Sequence, residues 1–145
     1  MVNTGEIIAS FFIPVEPTGM ARPRFSRFGG SYKDKTQRNR EKELDGYLRL
    51  YAPKSPVNGP VSVETLCCMS IPMSVSKRRR ESMLGLFVLP TKKPDLDNMA
   101  KQLFDALTRC EFWGDDAVAC ELIARKIFSA QSGWKVIIRE CKFNA

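Results

Sequence analysis

Two pairs of aspartates frame the stretch Lys92 to Asp116, which reads KKPDLDNMAKQLFDALTRCEFWGDD. Asp95 and Asp97 stand two apart near its start, and Asp115 and Asp116 are adjacent at its end. Lys101 follows Asp97 by four residues. Carboxylates grouped in this way can hold a hard divalent cation, which takes oxygen donors and keeps waters and substrate oxygens among its ligands. Phosphodiester cleavage needs a nucleophilic water, neutralised charge on the phosphate and help for the leaving oxygen. Bound Mg²⁺ supplies all three. The chemistry open to these residues is metal-assisted hydrolysis of a phosphate ester, with Lys101 offsetting charge that develops on the phosphate.

Each of these residues also has a plainer use. Asp97 could simply cap the helix that follows it, and Asp115-Asp116 could be turn residues. Lys101 is spaced to pair with Asp97 and with Asp105 in a surface ladder. A D-x-D pattern in a chain with several aspartates is weak by itself.

Composition narrows the field. The chain has 145 residues and a formal charge of +7, from 23 basic against 16 acidic residues, which favours a polyanionic partner such as nucleic acid. It has no histidine, so the commonest general base and the usual partner of serine or cysteine nucleophiles are missing. The five cysteines, Cys67, Cys68, Cys110, Cys120 and Cys141, form no C-x-x-C pair. They read as small buried apolar residues in a reducing compartment, and argue against structural zinc and a disulfide framework. No apolar run approaches the roughly 20 residues of a membrane span, and the N-terminus lacks the order of a secretion signal. A cytoplasmic protein is expected.

Periodicity then supplies the elements that must position the aspartates. Glu6–Pro14 reads as a strand, followed by a Gly/Pro-punctuated loop, Pro17–Lys35, in which Phe25, Phe28 and Tyr32 interleave with basic residues. Eight basic residues and two acidic ones lie between Arg22 and Lys42. The interleaved aromatics either pin the loop to the core or meet splayed bases. Thr36–Ala52 is a helix by the spacing of Leu44, Tyr47, Leu48 and Tyr51. Val61–Met73 alternates as a strand, with Val61, Val63, Thr65, Cys67, Met69 and Ile71 on one face. Ser74–Leu89 holds a short basic helix around SKRRR. Asn98–Cys110 is the clearest helix, with Met99, Leu103, Ala106, Leu107 and Cys110 on one stripe and Asp97 placed to cap it, or nearly so. Two strands, Ala117–Phe128 and Trp134–Cys141, close a single α+β domain spanning 1–145. An extended DLD would put Asp95 and Asp97 on one face, and Asp116, opening the next strand, is expected to return to them.

DLDN, a lysine three residues on, FDALT and FW-x-DD together resemble the RusA family of Holliday-junction resolvases. The similarity is strongest over Lys92 to about Phe128 and extends more weakly to ARPRF (Ala21–Phe25) and SKRRR (Ser76–Arg80), as in phage and prophage members. The resemblance implies a mixed or antiparallel sheet packed with two main helices. It also implies a homodimer that cuts four-way DNA junctions by paired symmetric nicks, using Mg²⁺, for which Mn²⁺ substitutes. Carried over by position, the metal ligands are Asp95, Asp97 and Asp116, with Lys101 as the supporting cation. Asp105 and Asp115 would brace them, and Phe112 and Trp113 would pack beside the site. Arg22, Arg24, Arg27, Lys77, Arg78, Arg79, Arg80, Lys92 and Lys93 are the expected DNA contacts, acting on phosphate rather than sequence. The N-terminal half carries a longer basic loop and helix than the family's most compact form. Two other functions fit the same residues: a metal nuclease of broader branched-DNA or flap activity, and a non-enzymatic basic DNA-binding accessory.

Overall fold

The computed structural model describes residues 1–20, 24–32 and 35–144. In chain order the elements are β1 (Val2–Asn3), β2 (Ile7–Ile13), β3 (Arg24–Phe25), β4 (Ser31–Tyr32), α1 (Lys35–Arg49), β5 (Val61–Met69), α2 (Lys77–Leu84), α3 (Leu96–Arg109), β6 (Ala119–Phe128), β7 (Gly133–Glu140) and β8 (Phe143–Asn144). The main sheet has the order β2-β7-β5-β6, and two small ribbons, β1-β8 and β3-β4, flank it.

β5 lies inside this sheet because its sequence, VSVETLCCM, is apolar enough to be covered on both faces. Val61, Val63, Thr65, Cys67 and Met69 point into the core, while Ser62 and Cys68 on the opposite face are buried as well. The helices α1 and α3 cover one side of the sheet. Leu44 and Leu48 from α1 and Met99, Leu103, Ala106 and Leu107 from α3 meet Ile13, Val61, Val63, Trp134, Val136 and Ile138. Burying a side chain of this size contributes roughly 1.5–3 kcal/mol each, which is where the fold gets its cohesion.

β7 pairs antiparallel with β2 and β5, whereas β5 and β6 are parallel. A parallel pair cannot be joined by a tight turn; it needs a crossover that carries the chain back along the sheet. Here the crossover holds both α2 and α3, with α3 running back toward the start of β6. This one requirement places the acidic residues, since α3 must begin at the end where β5 and β6 finish and end where they start.

Several expectations need adjustment. The buried face of α1 is Gln37, Glu41, Leu44, Asp45 and Leu48, so its first half is polar inside, and Tyr47 and Tyr51 are only partly covered, at 36% and 44% exposed. Tyr51 lies past the helix and stacks on Phe11 with ring centroids 4.8 Å apart. The expected basic loop contains the β3-β4 hairpin. Asp116 does not open a strand: Asp116–Val118 is one turn of 3-10 helix, and β6 begins at Ala119. Four cysteines are buried and Cys120 is exposed, all of them free thiols. Burial pushes the Cys67 thiol up to about 12 and the Cys110 thiol to about 11, which keeps both protonated and inert.

Candidate active site

Asp95 is the N-cap of α3, with extended backbone (φ −70°, ψ 142°), but its side chain makes no capping hydrogen bond. An N-cap aspartate ordinarily spends its carboxylate on the first free N–H groups of its helix. Asp95 contributes only its main-chain carbonyl, which accepts from the Met99 N–H at 3.0 Å. Its exposed carboxylate is left for another partner. Asp97 is not the cap. It stands in the first turn, exposed, and its Oδ1 accepts from the Asn98 N–H at 2.9 Å. The two residues are therefore not neighbours on an extended strand, although both sit at the N-terminal end of α3.

The segment before Asp95 is tied down from the sheet. Lys126, on β6 in register with Cys67, donates from Nζ to the carbonyls of Lys92 and Pro94, each at 2.9 Å. On the other side, Asn98 Nδ2 donates to the Met20 carbonyl at 3.1 Å, and Thr18 Oγ1 donates to Gln102 Oε1 at 3.1 Å. Gly19 lies so close that an added Cβ would be 2.4 Å from Asn98 Nδ2. These contacts draw the start of the basic loop against the N-terminal end of α3. Sequence reasoning missed Lys126. Its one signal was a lysine at an inward position of an alternating strand, where only a tip with carbonyl partners can be accommodated.

The other end of α3 is built differently. The helix stops in a Schellman motif: the Phe112 N–H donates to the Leu107 carbonyl and the Glu111 N–H to that of Thr108, with Glu111 in the left-handed region at φ 61°. Phe112 and Trp113 are buried, and Trp113 Nε1 donates to Thr108 Oγ1 at 2.7 Å. Arg109 clamps α3 to α1 through a two-pronged pair with Asp45, at 2.8 and 2.9 Å. Asp115 then caps the 3-10 turn by accepting from the Ala117 N–H at 2.9 Å, so its turn role is real. Asp105, Asp115 and Asp116 share a groove of about 410 Å³ with Thr108 and Arg109. The Asp116 carboxyl is held above the usual carboxylate range by desolvation first, then by its hydrogen bond with Asp115 and the charges of Asp115 and Asp105. The residue is exposed overall, so the crowding is local to its carboxyl.

The expected return of Asp116 to Asp95 and Asp97 does not occur within the chain. Asp95 shares a cleft with Met69 and Phe128, the last residues of β5 and β6. Asp116 precedes Ala119, which pairs with Val61 where those strands begin. The 14 residues of α3 separate the two acidic groups, a length of about 21 Å. Among the described residues, no group of three or more His, Cys, Asp or Glu side chains could hold a metal ion. The donor chemistry at both ends suits Mg²⁺, but each end alone is short of ligands. Lys101, between them on α3, is exposed and forms no ion pair among the described residues, so the ladder with Asp97 and Asp105 is not made.

Basic residues gather toward the Asp95 end. Lys77, Arg78, Arg79 and Arg80 are all exposed in the first turn of α2, whose N-cap Ser76 accepts from the Arg79 N–H at 3.2 Å. Cations at a helix N-terminus oppose the dipole, a local cost that a bound anion would relieve. Lys92 and Lys93 are exposed beside Asp95. Arg27 and Phe28 stand at the tip of the β3-β4 hairpin, with Phe28 93% exposed, so Phe28 does not pin this loop to the core. The turn there uses Gly29 and Gly30 at φ 87° and 82°. Arg24 lies in β3, and Arg22 lies outside the described residues.

The fold is a basic α+β domain with exposed carboxylates at both ends of one helix. Residues 14–139 match the family described as "Endodeoxyribonuclease RusA", and the chain belongs to that family. It is also 30% identical over 140 residues to a Bacillus subtilis (strain 168) protein described as "Uncharacterized protein YqaN", covering 90% of this chain and 94% of that one. The single domain has the mixed sheet and helices expected of the family. No helix among the described residues is long and apolar enough to cross a membrane.

Proposed function

We propose that the protein is a Mg²⁺-dependent, structure-selective endodeoxyribonuclease that resolves four-way DNA junctions in recombination and repair, acting as a homodimer, with Mn²⁺ able to replace Mg²⁺. The observation that carries this reading is the placement of carboxylates at both ends of α3, each set incomplete. A two-fold axis beside the middle of α3 would set two copies of the helix antiparallel. Asp95 and Asp97 of each copy would then face Asp115 and Asp116 of the other. Two equivalent centres arise about one helix length apart, as paired nicks across a two-fold symmetric substrate require.

In this arrangement Asp95, Asp97 and Asp116 hold the ion, and Asp105 and Asp115 brace Asp116. When bound, Mg²⁺ supplies Lewis-acid activation of water and neutralises charge on the phosphate. Lys101, uncommitted and midway along α3, offsets negative charge developing on the phosphate oxygens. Lys92, Lys93 and the four basic residues opening α2 bind flanking phosphates and set the register of the DNA without reading its sequence. The products are a 5′-phosphate and a 3′-hydroxyl.

Subunit complementation tests this reading. Asp97→Asn and Asp116→Asn homodimers should each fail to nick a junction. Mixed after dissociation and re-association, they should form heterodimers holding one centre with both changes and one with neither. Single-strand nicking should therefore return toward about half the wild-type rate per heterodimer. Centres built within one chain would leave the mixture as inactive as its components, which would defeat the shared-centre reading. Sedimentation of a lone 16.4 kDa species, free and on DNA, would do the same.

A further inference from the structure

A cleft of about 1110 Å³ opens directly beside Asp95. Its floor comes from the ends of β5 and β6, from α2 and from the segment that follows α2: Met69, Phe128, Met83 and Val88, of which Met69 and Met83 are buried. Its rim is basic, with Arg40 from α1, Arg79 from α2, and Lys92 and Lys93 from the segment leading to Asp95. Of the two carboxylates on its wall, Glu16 accepts from Ser70 N and Oγ at 3.2 and 3.0 Å, and Asp95 faces the proposed reacting centre. Asn98, also on the wall, spends its amide nitrogen on Met20, while its oxygen accepts no hydrogen bond among the described residues.

An apolar floor under a cationic rim is the arrangement that takes a base and its phosphates together: the flat face of the base covers apolar side chains, and the phosphate meets lysine and arginine. The volume exceeds the ~300–1,000 Å³ of an ordinary small-molecule pocket, so a short stretch of strand fits better than one small ligand. A base can enter only if it is unpaired and unstacked. That step costs least where pairing is already broken, as at the crossing point of a branched duplex.

We propose that this cleft receives the unpaired nucleotide next to the scissile phosphate, with its base on Met69, Met83, Val88 and Phe128 and its phosphates along Lys92, Lys93 and Arg79. This rests on the junction-cutting reading of Asp95 and deepens it. Selectivity for branched DNA then comes from a requirement to unstack one nucleotide, and the cleft wall, Asn98 included, is where a base preference at the cut would be set.

The experiment places 2-aminopurine singly at each nucleotide flanking the cut in a four-way junction, bound by wild-type protein in Ca²⁺ so that the DNA stays whole. One position next to the cut should brighten several-fold on binding, with the other positions little changed. Val88→Trp, which fills the cleft without touching a carboxylate or a cation, should remove that brightening. It should also weaken junction binding about tenfold, as for one lost base contact, with linear duplex affinity unchanged. Val75→Trp, on another part of the wall, gives the same readout should Val88→Trp fail to fold. If no position brightens while the same protein cuts the junction in Mg²⁺, the nucleotide cleft is wrong and the nuclease reading stands. Persistent brightening in a folded filled-cleft variant overturns the proposal equally. Absence of any Mg²⁺-dependent cutting instead overturns the reading on which it rests.

Discussion

The two ends of α3 carry the same side chains in opposite circumstances. At the N-terminal end, Asp95 and Asp97 are exposed and bordered by Lys92, Lys93 and the basic turn of α2. At the C-terminal end, Asp116 is crowded by Asp115 and Asp105, and the nearby guanidinium of Arg109 is already committed to Asp45. The first end sets its carboxylates among exposed cations. The second lacks positive charge and would gain by receiving a cation. Joined across two chains, as the proposed dimer would join them, they would supply what a metal-bridged phosphate needs from either side. The difference teaches that each half of the site is electrostatically unfinished in its own way, a stronger sign of use than acidity alone.

The sharpest way to break this comparison is at the N-terminal end. Asp97→Asn should lower single-turnover nicking on the order of 10³-fold or more, since it removes a proposed ligand, while junction affinity holds or tightens because one repulsive charge is gone. A gel shift beside a cleavage assay reads both, and wild-type turnover would end the assignment of Asp97. A smaller effect is expected one layer back. Lys126→Met keeps the length of the side chain but loses both bonds to the Lys92 and Pro94 carbonyls. Nicking should fall roughly 10–100-fold, as for other residues that orient ligands, with faster amide exchange in the 92–95 segment and unchanged thermal stability elsewhere. Unaltered exchange would show that Lys126 does not hold the motif.

The smallest effect belongs to the C-terminal end and concerns stability. A folded-state carboxyl raised above its unfolded value binds its proton more readily in the native state. Its cost to stability is therefore present above the raised value and relieved as pH falls through it. Asp116→Asn, measured in chelator, should accordingly raise the thermal midpoint slightly at pH 7 and give no gain once the pH is low enough to protonate Asp116 in the wild type. A lower midpoint at pH 7 would mean that Asp116 is stabilising and that the crowding account is wrong.

Much of this was readable beforehand because it rests on local periodicity. The inward alternation of β5 and the stripe Met99, Leu103, Ala106, Leu107 and Cys110 report burial directly, and all of those residues are buried. The acidic residues were legible as a group, from their spacing around one helix and the resemblance of FDALT and FW-x-DD. Their mutual position was not. Nothing in a linear pattern shows that β5 and β6 pair in parallel, and that pairing sends α3 the length of the sheet between them. The α1 face was misjudged for a related reason: Gln37, Glu41 and Asp45 are buried through polar partners, Asp45 with Arg109 from a helix 64 residues away, and hydropathy does not see such partners. The end of α3 hid itself too, because its left-handed residue is Glu111 where glycine is usual.

Because α3 fixes the spacing of the acidic groups, its length is not free to drift. Inserting one residue into it would advance everything beyond by about 1.5 Å and swing it about 100° around the axis. Asp116 would then be displaced from its counterpart in both centres of a dimer at once. The β3-β4 hairpin tip, exposed at Arg27 and Phe28, faces no such constraint and can gain or lose residues at little cost. Members of this lineage should accordingly vary in the loops while keeping one unchanging count of residues from DLD to DD.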